Sequence, residues 1–219
     1  LQEHSLKHFN DTCNEVNLYV RSMRGGFSGG TIESMINLSN YMNSNPKNKN
    51  ILRNPYSLNP RESIKNNIRQ PTLKSIKWDA ANQYWICPFI MSGINTRVVR
   101  RTNAISDFSY GENLKYSEAY SFKKGINGFF NAVIMLIMLA SLQIAMKFRP
   151  LLWILRKIIF PKPGEGPSYQ KRVDGFFKLK IIGLKNNIRK LSISIIGDSD
   201  PGYSATAKML TESSLSILL

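Results

Sequence analysis

The sequence is poor in the side chains that hold metals and disulfides, with 2 cysteines and 2 histidines among its 219 residues. Cys13 and Cys87 stand far apart and form no CxxC or zinc spacing, so we expect a reduced intracellular chain with both thiols acting as small hydrophobic groups. His4 and His8 could share one helix face, as a metal pair would, yet no third ligand follows at a useful spacing. The sequence therefore predicts solvent-exposed histidines and no metal.

Acidic residues are also scarce, because 14 Asp and Glu face 30 Lys and Arg, which leaves a net charge of +16. Such an excess is typical of proteins that bind nucleic acid, an anionic membrane surface or an anionic ligand, and it would also arise if an acidic part of the parent chain were absent. The basic residues are spread along the chain without a dominant block, and nothing resembles a recognition helix or a stacking platform. We therefore predict no nucleic-acid partner.

A dinucleotide fingerprint is missing from the one glycine-rich loop. Alternation over 15–23 predicts a strand, which runs into Gly25–Thr31 and then a helical pattern, an arrangement that can point backbone N–H groups at an anion. However, Arg24 stands where GxGxxG requires glycine, and Thr31 stands where a Walker loop requires lysine. Two interpretations remain open, a simple glycine turn and an anion site.

Regular structure is sparse over residues 43–75, which are rich in Asn, Lys, Ser and Pro. This composition indicates a surface insertion or linker that is partly mobile. After it, Pro88 is well placed as the first residue of a helix running to about Asn103.

Two arginines of this predicted helix are candidate ligand groups. Ile90, Ile94, Val98 and Arg101 follow one stripe, and Arg97 lies beside it. Arginine offers a planar fork for a carboxylate or phosphate, so Arg97 or Arg101 could hold an anionic substrate group. The alternative is a basic helix end that balances the helix dipole.

One long run, 125–146, carries no charge and lies between Lys124 and Lys147. A membrane span needs about 20 apolar residues, so its length permits one. Residues 151–160 then mix apolar and basic side chains around Trp153, which is typical of an interfacial helix. A span, a surface-lying hairpin and a helix buried under a protein partner are all compatible, and for 125–160 we favour membrane or lipid-surface contact.

The last third of the chain alternates between breakers and strands. The prolines and glycines of Pro161–Ser168 predict a rigid loop. Phe176–Gly183 and Lys190–Gly197 are predicted strands joined by a turn at Asn186-Asn187, and Pro201-Gly202 predicts a type II turn before a helix from Ser204. Since the chain begins with Leu1 and its last helix has no stop signal, we expect both ends to be cut.

Four separated stretches resemble the saccharopine dehydrogenase-like oxidoreductases, including the related trans-acting enoyl reductases. The resemblance covers most of the chain and fails chiefly over 43–75. The stretches are Gly25–Thr31, Pro88-Phe89 with Ile94–Arg101, Lys162–Pro167, and Asp200–Tyr203 with Ala205–Met209.

The resemblance implies an α/β (α+β) fold with a mixed sheet and flanking helices, corresponding to the second domain of a two-domain enzyme. Residues 1–124, with the insertion 43–75, would form its first part, 125–160 a hydrophobic helical segment, and 161–219 a β-hairpin and truncated helix. The N-terminal Rossmann domain that would bind NAD(P) is missing, so this chain is expected to bind neither the cofactor nor a metal.

The function implied is that of an NAD(P)-dependent oxidoreductase in lipid or glycolipid metabolism, inactive without its Rossmann domain. Expected partners are that domain, a membrane or lipid surface and a second copy in a homodimer. The expected location is intracellular, on membranes or lipid droplets, and mitochondrial membranes are one option. The alternative is a non-catalytic membrane or lipid-droplet scaffold that retains the fold.

The resemblance and the pattern together nominate six site residues. They are Ser28, Thr31, Arg97, Arg101 and Glu165 for substrate binding, and Tyr203 as a proton donor in catalysis. Shaped loops and helix ends also need such residues, so a purely structural role is the alternative for each of them.

Overall fold

A computed structural model describes residues 1–26, 28–63, 68–158, 160–162 and 164–218. The regular elements, in chain order, are α1 (Gln2–Phe9), β1 (Glu15–Arg24), α2 (Gly29–Ser44), α3 (Pro46–Arg53), a 3₁₀ turn (Arg61–Ser63), β2 (Lys77–Asp79), β3 (Tyr84–Pro88), α4 (Ser92–Ile105), β4 (Lys115–Phe122), α5 (Ile126–Lys147), α6 (Arg149–Ile158), α7 (Tyr169–Val173), β5 (Phe176–Lys185), β6 (Ile188–Gly197) and α8 (Ser204–Leu218).

The strands form one mixed sheet in the order β2-β3-β4-β1-β5-β6. β1 and β4 run parallel, with Glu15 opposite Lys115 and Val20 opposite Tyr120. β2, β3 and β4 are joined in antiparallel pairs. The predicted α/β fold with a mixed sheet and flanking helices is therefore confirmed.

The hairpin of β5 and β6 follows the predicted turn chemistry. Asn186 and Asn187 are the two linking residues, and both adopt left-handed φ values, 51° and 64°. A two-residue connection with positive φ at both positions matches the right-handed twist of the flanking strands, and Asn accepts this conformation more readily than most residues. The predicted strands and turn are confirmed here.

Two local predictions are wrong. Pro88 is the last residue of β3, and the helix after it begins at Ser92. A proline at a strand end gives up only a terminal ladder position, so it fits there as well as in a first helical turn. Gly202 does not have the positive φ that a type II turn requires at its third residue, although helix α8 does begin at Ser204 as predicted.

The chain divides into two compact units, which we describe separately. Unit 1 comprises Leu1–Arg21, Lys47–Leu139 and Leu179–Ser194, and unit 2 comprises Ser22–Pro46, Ala140–Lys178 and Ile195–Leu219. Unit 1 holds two small apolar clusters. One is built on Cys13, Val16, Leu114 and Tyr116, and the other on Tyr19, Ala119 and Ile182.

The segment 43–75 contains more structure than its composition predicts, since α3 and the 3₁₀ turn lie within it and Gln70 is buried. Residues 64–67 of that segment lie outside the described residues. His4 and His8 lie on α1, exposed as predicted, with their rings stacked 6.1 Å apart.

Helix α5 is long and apolar enough to cross a membrane by length and composition alone, and only 11% of its most apolar stretch is buried. Its exposed apolar side chains include Ile134 and Ile137, at 64% and 63% exposure. Helix α6 follows, with Trp153 exposed and the Lys157 ammonium 5.2 Å from the centre of its ring. Ile159, within the predicted segment 125–160, lies outside the described residues.

Candidate functional site

A cavity of about 1000 Å³ lies within unit 1, which is the size of a small-molecule binding site. Its wall comes from the first half of β1, from β4, from the β2–β3 hairpin, from helix α4 and from the segment 70–74. The cavity lies where β3 stops pairing with β4, because their register ends at Pro88 opposite Ala119.

Gln70 lies against the start of β4, which β3 does not pair with. Its side-chain amide donates to the Leu114 carbonyl at 3.0 Å and accepts from the Tyr116 N–H at 3.2 Å, as a neighbouring strand would. One side chain thus satisfies the backbone that the strand leaves open, and Ser117 and Glu118 of β4 line the cavity next to it.

Helix α4 presents polar side chains to the interior of the protein. Its buried residues are Thr96, Arg100, Asn103 and Ala104. The apolar stripe predicted for this helix is the outward one, since Ile94 and Val98 are 47% and 49% exposed. A helix that exposes aliphatic residues and buries an arginine runs against the hydrophobic pattern, and such inversions occur at functional sites.

The buried charges of the cavity wall meet at Glu118 and Arg100. Glu118 is 5% exposed, and its carboxylate accepts from the Tyr116 hydroxyl at 2.9 Å and from the Asn95 amide at 3.0 Å. Burial raises the pKa of Glu118, although these two hydrogen bonds and the charge of Arg100 act against it. Burial likewise lowers the pKa of Arg100 to about 10. Perturbed ionisable groups of this kind are concentrated at functional sites.

A second polar group lines the same cavity from the sheet and the β2–β3 hairpin. The Tyr19 hydroxyl donates to Asp79 at 2.7 Å, and the Asn82 amide donates to the same carboxylate oxygen at 2.8 Å. Burial and the neighbouring Asp79 raise the pKa of Tyr19. These polar groups form hydrogen bonds with one another. Among the described residues of the cavity wall, the buried donor without a hydrogen-bond partner is Arg100 Nε on α4.

Of the two predicted arginines, only Arg97 lines the cavity. Its guanidinium donates to the Asn54 carbonyl at 3.3 Å and also to the Gly93 carbonyl, and burial lowers its pKa. Arg101 is exposed on α4 and donates to the Leu58 carbonyl outside the cavity wall. Arg100, between them, is the buried arginine that sequence reasoning passed over.

The other four predicted site residues come together in unit 2, in what we call the glycine-loop cluster. It comprises Gly25-Gly26, Ser28–Thr31, Pro161-Lys162, Gly164–Pro167 and Asp200–Tyr203, while Phe27 and Pro163 lie outside the described residues. The Ser28 side chain caps α2 by accepting from the Thr31 N–H at 2.9 Å. The Glu165 carboxylate accepts from the Lys162 N–H at 2.9 Å.

Asp200 is fully buried in the glycine-loop cluster. Its carboxylate accepts from the Tyr203 N–H at 2.6 Å and from the Gly26 N–H at 3.2 Å. The Tyr203 ring lies against Gly166, where an added Cβ would be 2.8 Å from the tyrosine hydroxyl. Catalytic or substrate roles for Tyr203, Ser28, Thr31 and Glu165 stay predictions.

The glycine loop does not fit the pyrophosphate of a dinucleotide. The Gly26 N–H is engaged by Asp200, and the Gly29 N–H donates to the Glu165 carbonyl at 2.9 Å. A Cβ on Gly29 would lie 1.8 Å from the Lys162 carbonyl oxygen, so this glycine admits a neighbouring chain segment where a cofactor loop would admit a phosphate. The geometry favours the glycine-turn interpretation over the anion site.

In the described part of the chain, no group of three or more His, Cys, Asp or Glu side chains is placed to hold a metal ion. The absence of a metal stays a prediction. Both cysteines are buried, and burial raises the pKa of the Cys87 thiol to about 12.

The residues that sequence reasoning missed are Arg100, Glu118, Tyr116 and Gln70. One signal was available for the first, because Thr96, Arg100 and Asn103 recur at helical spacing and form a polar stripe. Glu118 and Tyr116 sit in a strand whose facing partners are set by the sheet order, and Gln70 acts across 44 residues to reach Leu114. No local pattern reveals these last three.

Comparison with known proteins finds relatives in mycobacteria. A Mycobacterium tuberculosis H37Rv protein, provisionally named a trans-acting enoyl reductase, is 33% identical over an alignment of 219 positions, which covers 94% of this chain and 51% of that protein. The trans-acting enoyl reductase of Mycobacterium ulcerans is 27% identical over 213 residues, again covering 94% of this chain and 51% of the relative. That of Mycobacterium bovis BCG is 26% identical over 199 residues, covering 88% and 47%.

No family model and no solved structure matches the chain. The chain spans about half the length of the curated relatives it matches. It is thus related in sequence, along nearly its whole length, to proteins named trans-acting enoyl reductases.

Proposed function

We propose that this chain supplies the substrate-side part of an enoyl-reductase-like oxidoreductase of the saccharopine dehydrogenase-like group, acting in lipid metabolism. The observation that carries the proposal is the cavity of about 1000 Å³ in unit 1, with the buried Arg100 and Glu118 in its wall. Supporting it is the 33% identity to a relative named for enoyl reduction.

The chain's own contribution would be to bind and orient the substrate. An enoyl reductase saturates a carbon–carbon double bond next to an acyl carbonyl, and NAD(P)H would supply the hydride. Because the glycine loop is filled by Asp200 and Lys162, we propose that NAD(P) is held by a Rossmann domain outside the described residues. A non-catalytic scaffold would not need buried, incompletely paired charge beside an open cavity, so the enzyme is the better account.

The test uses the natural gene product purified from its own cells, with any chain or partner that normally accompanies these residues. NADPH is titrated while nicotinamide fluorescence is followed, and a short 2-enoyl thioester is then added. We expect saturable NADPH binding and NADPH consumption that depends on the double bond, with the saturated thioester as the control. Absence of any NADPH binding would remove the oxidoreductase proposal.

We also propose that the protein works at a membrane or lipid-droplet surface. The support is helix α5, whose 22 residues span about 33 Å at 1.5 Å per residue, enough for a bilayer core. Its apolar side chains are largely exposed, and lysines lie at both ends. Helix α6 adds the exposed Trp153, paired with Lys157, of the kind found in membrane interfaces.

Flotation with phosphatidylglycerol vesicles tests this second proposal. Ile134→Asn with Ile137→Asn should reduce the floating fraction, because it places two amides on the exposed face of α5. The matched control is Ile217→Asn with Leu218→Asn, which alters equally apolar side chains at 85% and 82% exposure on α8. Equal flotation of both double variants, or a wild-type protein that stays entirely soluble in cell fractions without detergent, would contradict it.

A further inference from the structure

Arg100 is a buried cation whose hydrogen-bond partners are all neutral. It is 6% exposed, and its guanidinium donates to the Tyr116 carbonyl at 3.1 Å, to the Pro55 carbonyl at 3.2 Å and to the Thr96 hydroxyl at 3.3 Å. Its Nε is buried and has no hydrogen-bond partner. Leaving a charged donor buried and unpaired destabilises the folded protein, so a buried N–H of this kind calls for an explanation.

A second arginine repeats the charge at the same wall. Arg97 lies one turn earlier on α4, and both side chains line the cavity. Burial and, to a smaller extent, the charge of Arg97 lower the pKa of Arg100, whereas Tyr56, Glu118 and Tyr116 act in the other direction. Two neighbouring cations under partial burial repel each other, and an anion between them would relieve this repulsion.

The described cavity wall holds more cationic than acidic side chains. The cationic lining residues are Arg53, Lys74, Lys77, Arg97 and Arg100, and the acidic ones are Glu15, Asp79 and Glu118. Asp79 is engaged by Tyr19 and Asn82, and Glu118 by Tyr116 and Asn95. Within the described residues the wall therefore carries a positive excess that a ligand could neutralise.

Glu118 indicates which anion fits. A phosphate dianion would meet its carboxylate and would find one unpaired N–H where it needs several donors. A carboxylate carries one negative charge, which suits a single buried N–H and a second guanidinium.

We infer that the cavity of unit 1 binds the carboxylate of an unsaturated acyl group through the guanidinium groups of Arg100 and Arg97. This deepens the proposed function and rests on it for the identity of the acyl group. The site takes its positive charge chiefly from α4.

Isothermal titration with crotonate (trans-2-butenoate) tests the inference without any cofactor. We expect saturable binding to the wild-type protein, weakened about tenfold or more in Arg97→Gln and Arg100→Gln, since each variant removes a charge-assisted contact. Arg101→Gln is the matched control, because it removes the same charge one residue along the helix but outside the cavity wall, and should leave the affinity unchanged. Crotonamide, the neutral analogue, should not bind measurably.

Several outcomes would overturn the inference. They are no crotonate binding to the wild type, equal weakening in Arg101→Gln, unchanged binding in Arg97→Gln, or inorganic phosphate binding as tightly as crotonate. If circular dichroism shows that Arg100→Gln does not fold, the titration is decided by Arg97→Gln and Arg100→Lys. Arg100→Lys keeps the positive charge and removes the Nε donor. Crotonate binding without any NADPH binding would keep the anion site and remove the oxidoreductase, whereas enoyl reduction unaffected by Arg97→Gln would do the reverse.

Discussion

Asp200 in unit 2 and Arg100 in unit 1 are both buried charged side chains, yet their surroundings differ. Asp200 accepts two backbone N–H groups, and the space around it is filled so closely that a Cβ on Gly25 would lie 2.3 Å from its Oδ1. Arg100 keeps an unpartnered Nε and lies in the wall of a cavity of about 1000 Å³.

This difference separates a structural cluster from a binding site. The polar groups of the glycine-loop cluster form hydrogen bonds within the cluster, so its glycines and Asp200 determine how the chain segments pack. The α4 wall leaves charge unbalanced next to open space, which is the condition in which a ligand gains most from binding. Three of the four stretches that carry the family resemblance lie at the glycine-loop cluster, and the fourth, on α4, lies at the cavity.

Gly29→Ala should produce the largest effect. A Cβ would lie 1.8 Å from the Lys162 carbonyl oxygen, a backbone atom that cannot move without the whole loop. We expect the free energy of unfolding to fall by about 3 kcal/mol or more, measured by urea denaturation. Gly30→Ala is the control, because its Cβ would be 3.7 Å from the Ser28 hydroxyl, and it should leave stability unchanged or raise it by up to about 1 kcal/mol. Equal stability of the two variants would show that the Lys162 carbonyl does not confine Gly29.

Glu118→Gln should change how stability depends on pH. Burial raises the pKa of Glu118 in the folded protein above its ordinary value of about 4.3, so the folded state binds this proton more tightly than the unfolded state. The stability of the wild type relative to Glu118→Gln is therefore highest below about pH 4.3 and falls as the pH rises through the folded pKa, by up to about 1.4 kcal/mol per pH unit. Urea denaturation of both proteins from pH 4 to pH 8 measures this difference. A constant difference would show that folding leaves the pKa of Glu118 unchanged, and a rising one that folding stabilises its carboxylate; either result would contradict a pKa raised by burial.

Ser28→Ala should have the smallest effect and only on stability. Ser28 caps α2, and losing such a cap costs about 1 kcal/mol. Since Ser28 lies in the glycine-loop cluster, we expect crotonate affinity to remain unchanged, as measured by the same titration. A loss of affinity as large as that in Arg97→Gln would instead favour the predicted substrate role of Ser28.

The parts of the fold that the sequence predicts are those with local rules. Alternation identified β1 and β6, and the Asn186-Asn187 pair identified the hairpin of β5 and β6. Pro88 was assigned to a helix because a strand end and a first helical turn both tolerate proline. This ambiguity shifts the start of α4 from Pro88 to Ser92 and leaves the architecture unchanged.

The candidate site was less predictable, for a physical reason. Hydrophobic periodicity assumes that aliphatic residues point inward, and α4 instead buries Thr96, Arg100 and Asn103 while exposing Ile94 and Val98. The contacts that make this arrangement stable come from distant segments, as when Pro55 and Tyr116 accept from Arg100. Arg97 was predicted because it is an arginine near a stripe, whereas Arg100 becomes visible only once the sheet and α4 are assembled.

Hydrogen–deuterium exchange with and without saturating crotonate is the most direct test of the distinction between the two regions. Bound crotonate should slow exchange in α4 (Ser92–Ile105) and β4 (Lys115–Phe122) of unit 1. Exchange in α2 (Gly29–Ser44) and α8 (Ser204–Leu218) should not change. Protection centred on the start of α2, with α4 unaffected, would contradict the account and place the ligand at the glycine loop.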